Sequence, residues 1–186
     1  MNEKTKDILL ISSIAVASVG VLYGAWHFRN RLLYSMIDNN NREKLNELHP
    51  KYKNAFANFL TDLKLKGYVP LVTSGYRSIA KQQELHNQNP SAAIAGHSLH
   101  NFGLATDINI MKPSFIGMNQ SNEKWKPIVE IANKNGLDWG GNLFPSYSSG
   151  GGDRVHFQPK TMTLSGTKLL AMYNDKKVDK NGYVKI

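Results

Sequence analysis

The sequence predicts an α+β domain, a small antiparallel sheet flanked by helices, preceded by one apolar segment long enough to cross a bilayer. Three observations predict it. Short β-branched and aromatic runs alternate irregularly with amphipathic stretches and form no repeated βαβ units, which argues against a parallel sheet. Residues 8–28, ILLISSIAVASVGVLYGAWHF, contain no Asp, Glu, Lys or Arg. Hydrophobic residues make up 41% of the 186 and charged residues 20%, a globular rather than a disordered composition.

The apolar run comes first. At about 1.5 Å per residue it spans a hydrocarbon core of roughly 30 Å. Tyr23 and Trp26 sit near one end, where an interfacial aromatic belt is expected, and Arg29 and Arg31 end it. The small residues at 15–17 offer a signal-peptidase site, but the apolar sequence continues well past the roughly 7–15 residues of a signal peptide. Residues 1–29 are therefore expected to be a single-pass membrane anchor. Lys4 and Lys6 precede the run and Arg29, Arg31, Arg42 and Lys44 follow it, which by positive charge alone favours a cytoplasmic C-terminal domain.

Residues 30–49 read as a polar linker that becomes helical, with NNNRE at 39–43 as a linker-like cluster. A domain is expected over 50–160. It opens with a helix from Pro50 carrying Tyr52, Phe56, Phe59, Leu60 and Leu63 at helical spacing, closed by Gly67. A strand follows within 68–78, then a helix over 78–88, a strand over 105–110, a helix over 121–135 and a core strand over 154–159. Residues 161–186 form an extension with a helical stretch near 165–173 and a hairpin signal at Asn181-Gly182.

The chain has no cysteine, which excludes disulfides, thiolate metal sites and a cysteine nucleophile. Any metal site must be built from His, Asp and Glu. The net charge of +9 favours anionic partners such as a membrane surface or an anionic cell wall. The basic residues are dispersed and carry no zinc-finger or RNA-recognition signature, so nucleic acid is not expected as a partner.

Two segments concentrate chemistry: GHSLHNFGLATDIN at 96–109 and DRVHFQ at 153–158. A catalytic zinc takes three protein ligands and keeps one position open. A turn through residues 101–103 leading into a strand lets His100 and Asp107 face one point, and Gly103 permits the tight backbone. Asp153 and His156 reach the same cleft from an extended segment, one to hold a metal and the other to act as general base. His97 is a competing ligand beside His100. His27, His49 and His86 are expected to be structural or surface residues.

SLHNFGLATD (98–107) matches Ser-x-His-x-x-Gly-x-Ala-x-Asp, DRVH (153–156) matches an acid-x-x-His element, and SGYRS (74–78) matches an upstream arginine element. In these residues the chain resembles the VanY/VanX-type zinc D-alanyl-D-alanine peptidases over about residues 50–160. GLDWGGN (136–142) and HFQ (156–158) resemble the L-alanyl-D-glutamate endopeptidase branch, which includes CwlK-like enzymes and phage endolysins. FPSYSSGGG at 144–152 departs from that branch.

The resemblance implies a fold of the Hedgehog and D,D-peptidase kind. It implies zinc held by His100, Asp107 and His156, with Asp153 as general base and Arg77 stabilising a substrate carboxylate or oxyanion. Ser98 is implied either to bind substrate or to cap a loop, and Trp139 to wall the cleft. The expected substrate is a peptidoglycan stem peptide, cleaved after L-Ala; removal of terminal D-Ala and a non-catalytic wall-binding module are the alternatives. The expected protein is a monomer whose catalytic domain faces the cell wall. That placement opposes the charge rule, and a weakly inserted segment that is later released, as in some phage lysins, accommodates both.

Overall fold

The computed structural model describes residues 34–144 and 152–186, together with Val21, Tyr23, Gly24, Ala25, Phe28 and Leu32. The chain divides into two compact units, Met1–Asn39 and Asn40–Ile186. The expected anchor falls in the first unit, and most of residues 8–28 lie outside the described residues. Among the described residues no helix is long and apolar enough to cross a membrane.

The second unit begins with helical residues 40–46, here α1. It continues through α2 (Pro50–Leu65), β1 (Pro70–Ser74), α3 (Ile79–Gln88), a 3-10 turn (Leu99–Phe102), β2 (Thr106–Ile110) and α4 (Asn122–Lys134). Then come β3 (Leu137–Trp139), the one-turn α5 (Gly140–Leu143), β4 (His156–Pro159) and α6 (Gly166–Asn174). The four strands form one sheet in the order β1-β2-β4-β3, and every pairing is antiparallel. This is the expected α+β class with a small antiparallel sheet.

One face of the sheet is packed. Phe56, Phe59, Leu60 and Leu63 fall at i, i+3, i+4 and i+7 on α2 and are all buried, as are Trp125, Ile128 and Ala132 on α4. They meet Val72, Ile108, Ile110 and Phe157 from the strands in one core. Each fully buried aromatic or aliphatic side chain here contributes about 1.5–3 kcal/mol. In β2, Thr106, Ile108 and Ile110 are buried on this face, and Asp107 and Asn109 alternate to the other. Period-two alternation thus decides which residues can reach a cleft.

A second core joins Phe102 and Leu104 to Leu169 and Val184 of the C-terminal segment. His49 ties the two ends of this unit. Its Nδ1 accepts from the Lys51 amide at 3.2 Å and caps α2, so Nε2 carries the proton and donates to the Val184 carbonyl at 2.8 Å. Gly103 adopts φ +67°, and a Cβ there would meet the His49 amide nitrogen at 2.8 Å, so both dihedral and space require glycine.

Within the expected linker, the asparagine-rich cluster at 39–43 is helical. Asn41 is buried, and its side chain completes the open edge of β1. Nδ2 donates to the Pro70 carbonyl and Oδ1 accepts from the Val72 amide, both at 2.8 Å. Asn40 donates to the Val72 carbonyl at 2.8 Å. A run of asparagines reads as linker in sequence because these amides favour turns, whereas here they replace a missing strand. β3 was likewise unassigned in sequence; at three residues it is too short to show a period. Asn41→Ala strands a buried carbonyl and a buried amide. It is expected to lower unfolding free energy by about 1–3 kcal/mol, read by urea denaturation; a loss below about 0.5 kcal/mol would contradict the edge-capping role.

Candidate metal centre

Strand register brings the first two groups together. Asp107 on β2 lies directly opposite His156 on β4, on the unpacked face of the sheet. Ser74 on β1 lies on the other side of Asp107, beyond an irregularity between Val72 and Ser74. His100 arrives from the 3-10 turn, whose closure by Gly103 leads the chain into β2. Ligand atoms of His100, Asp107 and His156 all lie within 4.8 Å of one another.

Hydrogen bonds around the trio set which atoms face inward. The Gly75 carbonyl, which can only accept, lies 2.7 Å from His100 Nδ1, so that nitrogen carries the proton and Nε2 offers a lone pair. His156 Nε2 lies 3.2 Å from Gln158 Oε1, which leaves Nδ1 to face the centre. The two inward nitrogens are 3.3 Å apart. Asp107 Oδ1 lies 3.2 Å from His100 Nε2 and 3.5 Å from His156 Nδ1, yet it is buried and has no hydrogen bond among the described residues.

Two imidazole lone pairs and a carboxylate oxygen aimed at one buried point repel one another unless a cation or a proton stands between them. Without a metal the trio holds a proton. Burial alone would push the His156 imidazole down, but contact with Asp107 and its charge outweigh burial and raise its pKa. Burial would raise the Asp107 carboxyl, but the His100 and His156 imidazoles hold it far below the usual carboxylate range. Two imidazoles and one carboxylate, in a chain without thiolates, are a donor set suited to a catalytic zinc. The orphaned Asp107 oxygen is the place such an ion fits.

Arg77 and Asp153 flank the trio. Arg77 donates to Gln82 Oε1 and to Ser74 Oγ at 2.8 Å each, and its guanidinium lies 3.5 Å from Asp107 Oδ2. It therefore holds the outer oxygen of the ligand carboxylate. Asp153 is half-buried, and its Oδ1 is buried without a hydrogen-bond partner among the described residues. Burial raises its pKa, with Asp107 adding repulsion and the His156 imidazole opposing. A cavity of about 1070 Å³ opens over the trio and includes Arg77, Ser98 and Asp153 in its walls. Phe144 stands edge-on to His156, ring centres 5.4 Å apart.

Other expected site residues divide. Ser98 lines the cleft and also caps the 3-10 turn, accepting from the His100 amide at 3.3 Å. Trp139 is corrected: it does not wall the cleft. Its ring packs in the core against Trp125, 6.3 Å between centres, and its Nε1–H donates to the Arg154 carbonyl at 2.6 Å. That bond anchors the chain between Asp153 and His156. His97 is not part of the trio. His86 lies 2.7 Å from the Ala92 carbonyl, a structural contact, and His27 falls outside the described residues. Ser74 and Gln82, the partners of Arg77, carry no signal in sequence. Gln158 does, being two residues from His156 on the same strand face.

Ligation requires His156 to lose the proton that Asp107 favours. Zinc affinity is therefore expected to rise as pH climbs past the ordinary imidazole value of about 6.5, because the His156 pKa is raised above it. Binding should release a proton, read by titration calorimetry in buffers of different ionisation enthalpy. An enthalpy independent of buffer, with affinity flat in pH, would contradict this tautomer assignment.

Comparison with known proteins agrees with this site. Residues 92–159, which contain all three ligand positions and Asp153, match a family model described as D-alanyl-D-alanine carboxypeptidase. The chain is 28% identical over 154 residues to the peptidoglycan L-alanyl-D-glutamate endopeptidase CwlK of Bacillus subtilis (strain 168), covering 75% of this chain and 88% of that one. In three dimensions it resembles VanYB in complex with D-alanine-D-alanine, with a TM-score of 0.50, 20% identity and coverage of 67% and 77%. It also resembles the L-Ala D-Glu endopeptidase ChiX of Serratia marcescens, with a TM-score of 0.49, 21% identity and coverage of 64% and 86%. The motif set, the clustered His100, Asp107 and His156, and the match over 92–159 indicate a metallopeptidase that is similar in these residues to CwlK.

Proposed function

We propose that this chain is a zinc-dependent peptidoglycan peptidase that hydrolyses the L-alanyl-D-glutamate bond of stem peptides. The observation that carries the hydrolytic part is the pairing, in one cleft, of a three-ligand cluster with Asp153, whose buried Oδ1 has no partner among the described residues. The bond preference is supported by the CwlK relative, which covers most of both chains. The family description favours a second reading, removal of terminal D-Ala by the same residues.

In this reading His100 Nε2, Asp107 and His156 Nδ1 would hold zinc, which when bound would supply Lewis-acid polarisation and a lowered pKa for water. Asp153 Oδ1 takes the proton of the attacking water and passes it to the leaving amine. Its raised pKa suits it to that shuttle, because a stronger base drives the first transfer. Arg77 keeps Asp107 oriented through Oδ2 and turns its fixed positive charge toward the cleft, where a substrate carboxylate or developing oxyanion is stabilised. Leu143, Phe144 and Val155 give the cleft an apolar side. The apolar segment at 8–28 is assigned to tether this domain to the membrane on its wall side.

Asp153→Ala is expected to lower hydrolysis of purified muropeptides by about a thousandfold or more, with stoichiometric zinc retained. Mass analysis of the products decides the bond: cleavage after L-Ala supports the endopeptidase, and free D-Ala the carboxypeptidase. Wild-type turnover in the Asp153 variant with zinc in place would end the proposed proton shuttle.

A further inference from the structure

The C-terminal segment lies beyond the family match, which ends at residue 159. Its contacts nevertheless reach the cleft. Leu164, Ser165 and Gly166 line the cavity beside His97 and Ser98. Gly166, the first residue of α6, runs so close to the His97 backbone that a Cβ there would collide with the His97 carbonyl. Leu170, one turn on, packs over Gly96, where a Cβ would lie 2.8 Å from its side chain. Leu169 anchors the helix in the second core with Phe102 and Leu104. The segment is thus a rigid buttress behind residues 96–98, the stretch that leads into His100.

One contact has chemical content. Thr167 Oγ1 lies 2.9 Å from His97 Nδ1. The hydroxyl can donate to Nδ1, which places the imidazole proton on Nε2. His97 is half-buried and lines the cleft, and its Nε2 makes no hydrogen bond among the described residues. It does not belong to the metal trio. An imidazole that lines the cleft with one nitrogen held by a helix is arranged to meet a ligand with the other, because an oriented side chain loses little further entropy on binding.

We propose that His97 is a substrate-binding residue of this cleft, donating from Nε2 to a carbonyl or carboxylate oxygen of an anionic stem peptide, and that Thr167 is its positioning residue. The C-terminal segment then helps set substrate affinity, although it supplies no group to the chemistry. This rests on the reading of the cleft as a peptide-hydrolysing site.

The test uses the full zinc-loaded protein and a soluble stem peptide. His97→Phe keeps a ring and removes the donor; Thr167→Val removes the hydroxyl at nearly constant volume, and Thr167→Ser restores it. Expected is a KM about tenfold or more higher in His97→Phe, with kcat within about threefold. Thr167→Val should show part of that rise and Thr167→Ser should recover it. Wild-type KM in both His97→Phe and Thr167→Val, or a kcat loss that follows zinc loss, would overturn the assignment. Should the wild type cleave no stem peptide, the hydrolytic reading fails. Calorimetry of the same peptide then decides this one: weaker binding by His97→Phe supports it, and equal binding or none by the wild type overturns it.

Discussion

Everything at this site depends on one cross-strand pair. Asp107 and His156 stand opposite each other on β2 and β4, and the register of that pairing puts a carboxylate and an imidazole on the unpacked face of the sheet. A slip of one residue in either strand would turn that strand's ligand into the core and Ile108 or Phe157 into the cleft. The register is held by the buried residues that alternate with the ligands, Thr106, Ile108 and Ile110 on one strand and Phe157 and Pro159 on the other. The core thus specifies the metal centre, because one side chain in two is committed to packing.

The remaining parts restrain that pair. His100 is delivered by a 3-10 turn with a reciprocal cap between Ser98 and Asn101, and its ring is fixed by the Gly75 carbonyl. Gln158 fixes His156 and Arg77 fixes the outer oxygen of Asp107. Partners outside the ligand set orient the ligands and choose their tautomers, which lowers the reorganisation needed on binding an ion. Trp139 belongs to this outer layer. It holds the backbone at Arg154 and so sets where Asp153 and His156 stand relative to each other.

The same economy appears at the two ends of the unit. Asparagines from α1 satisfy the edge of β1 where another strand would otherwise be needed, and such an edge left open invites pairing with another chain. The C-terminal segment closes a second core against the turn that carries His100. Its link to His49 through the Val184 carbonyl spans 135 residues of sequence. Both devices act at a distance along the chain, so loss of either is felt where the ligands sit.

Much of this was legible in the amino-acid sequence. The helix over 50–65 showed itself by spacing, the strand at 106–110 by alternation, and the ligand set by a motif whose fixed positions are all present. Those signals are local, since a period or a short motif needs only neighbouring residues. Tertiary structure alone decided the rest. It turned Trp139 into the core, made an asparagine run a strand substitute, gave Arg77 to Asp107, and set Thr167 against His97. Each of these joins groups far apart in sequence, through hydrogen bonds that any Asn, Thr or Trp could make. Residue type states what a side chain can bond; only the fold states what stands within reach.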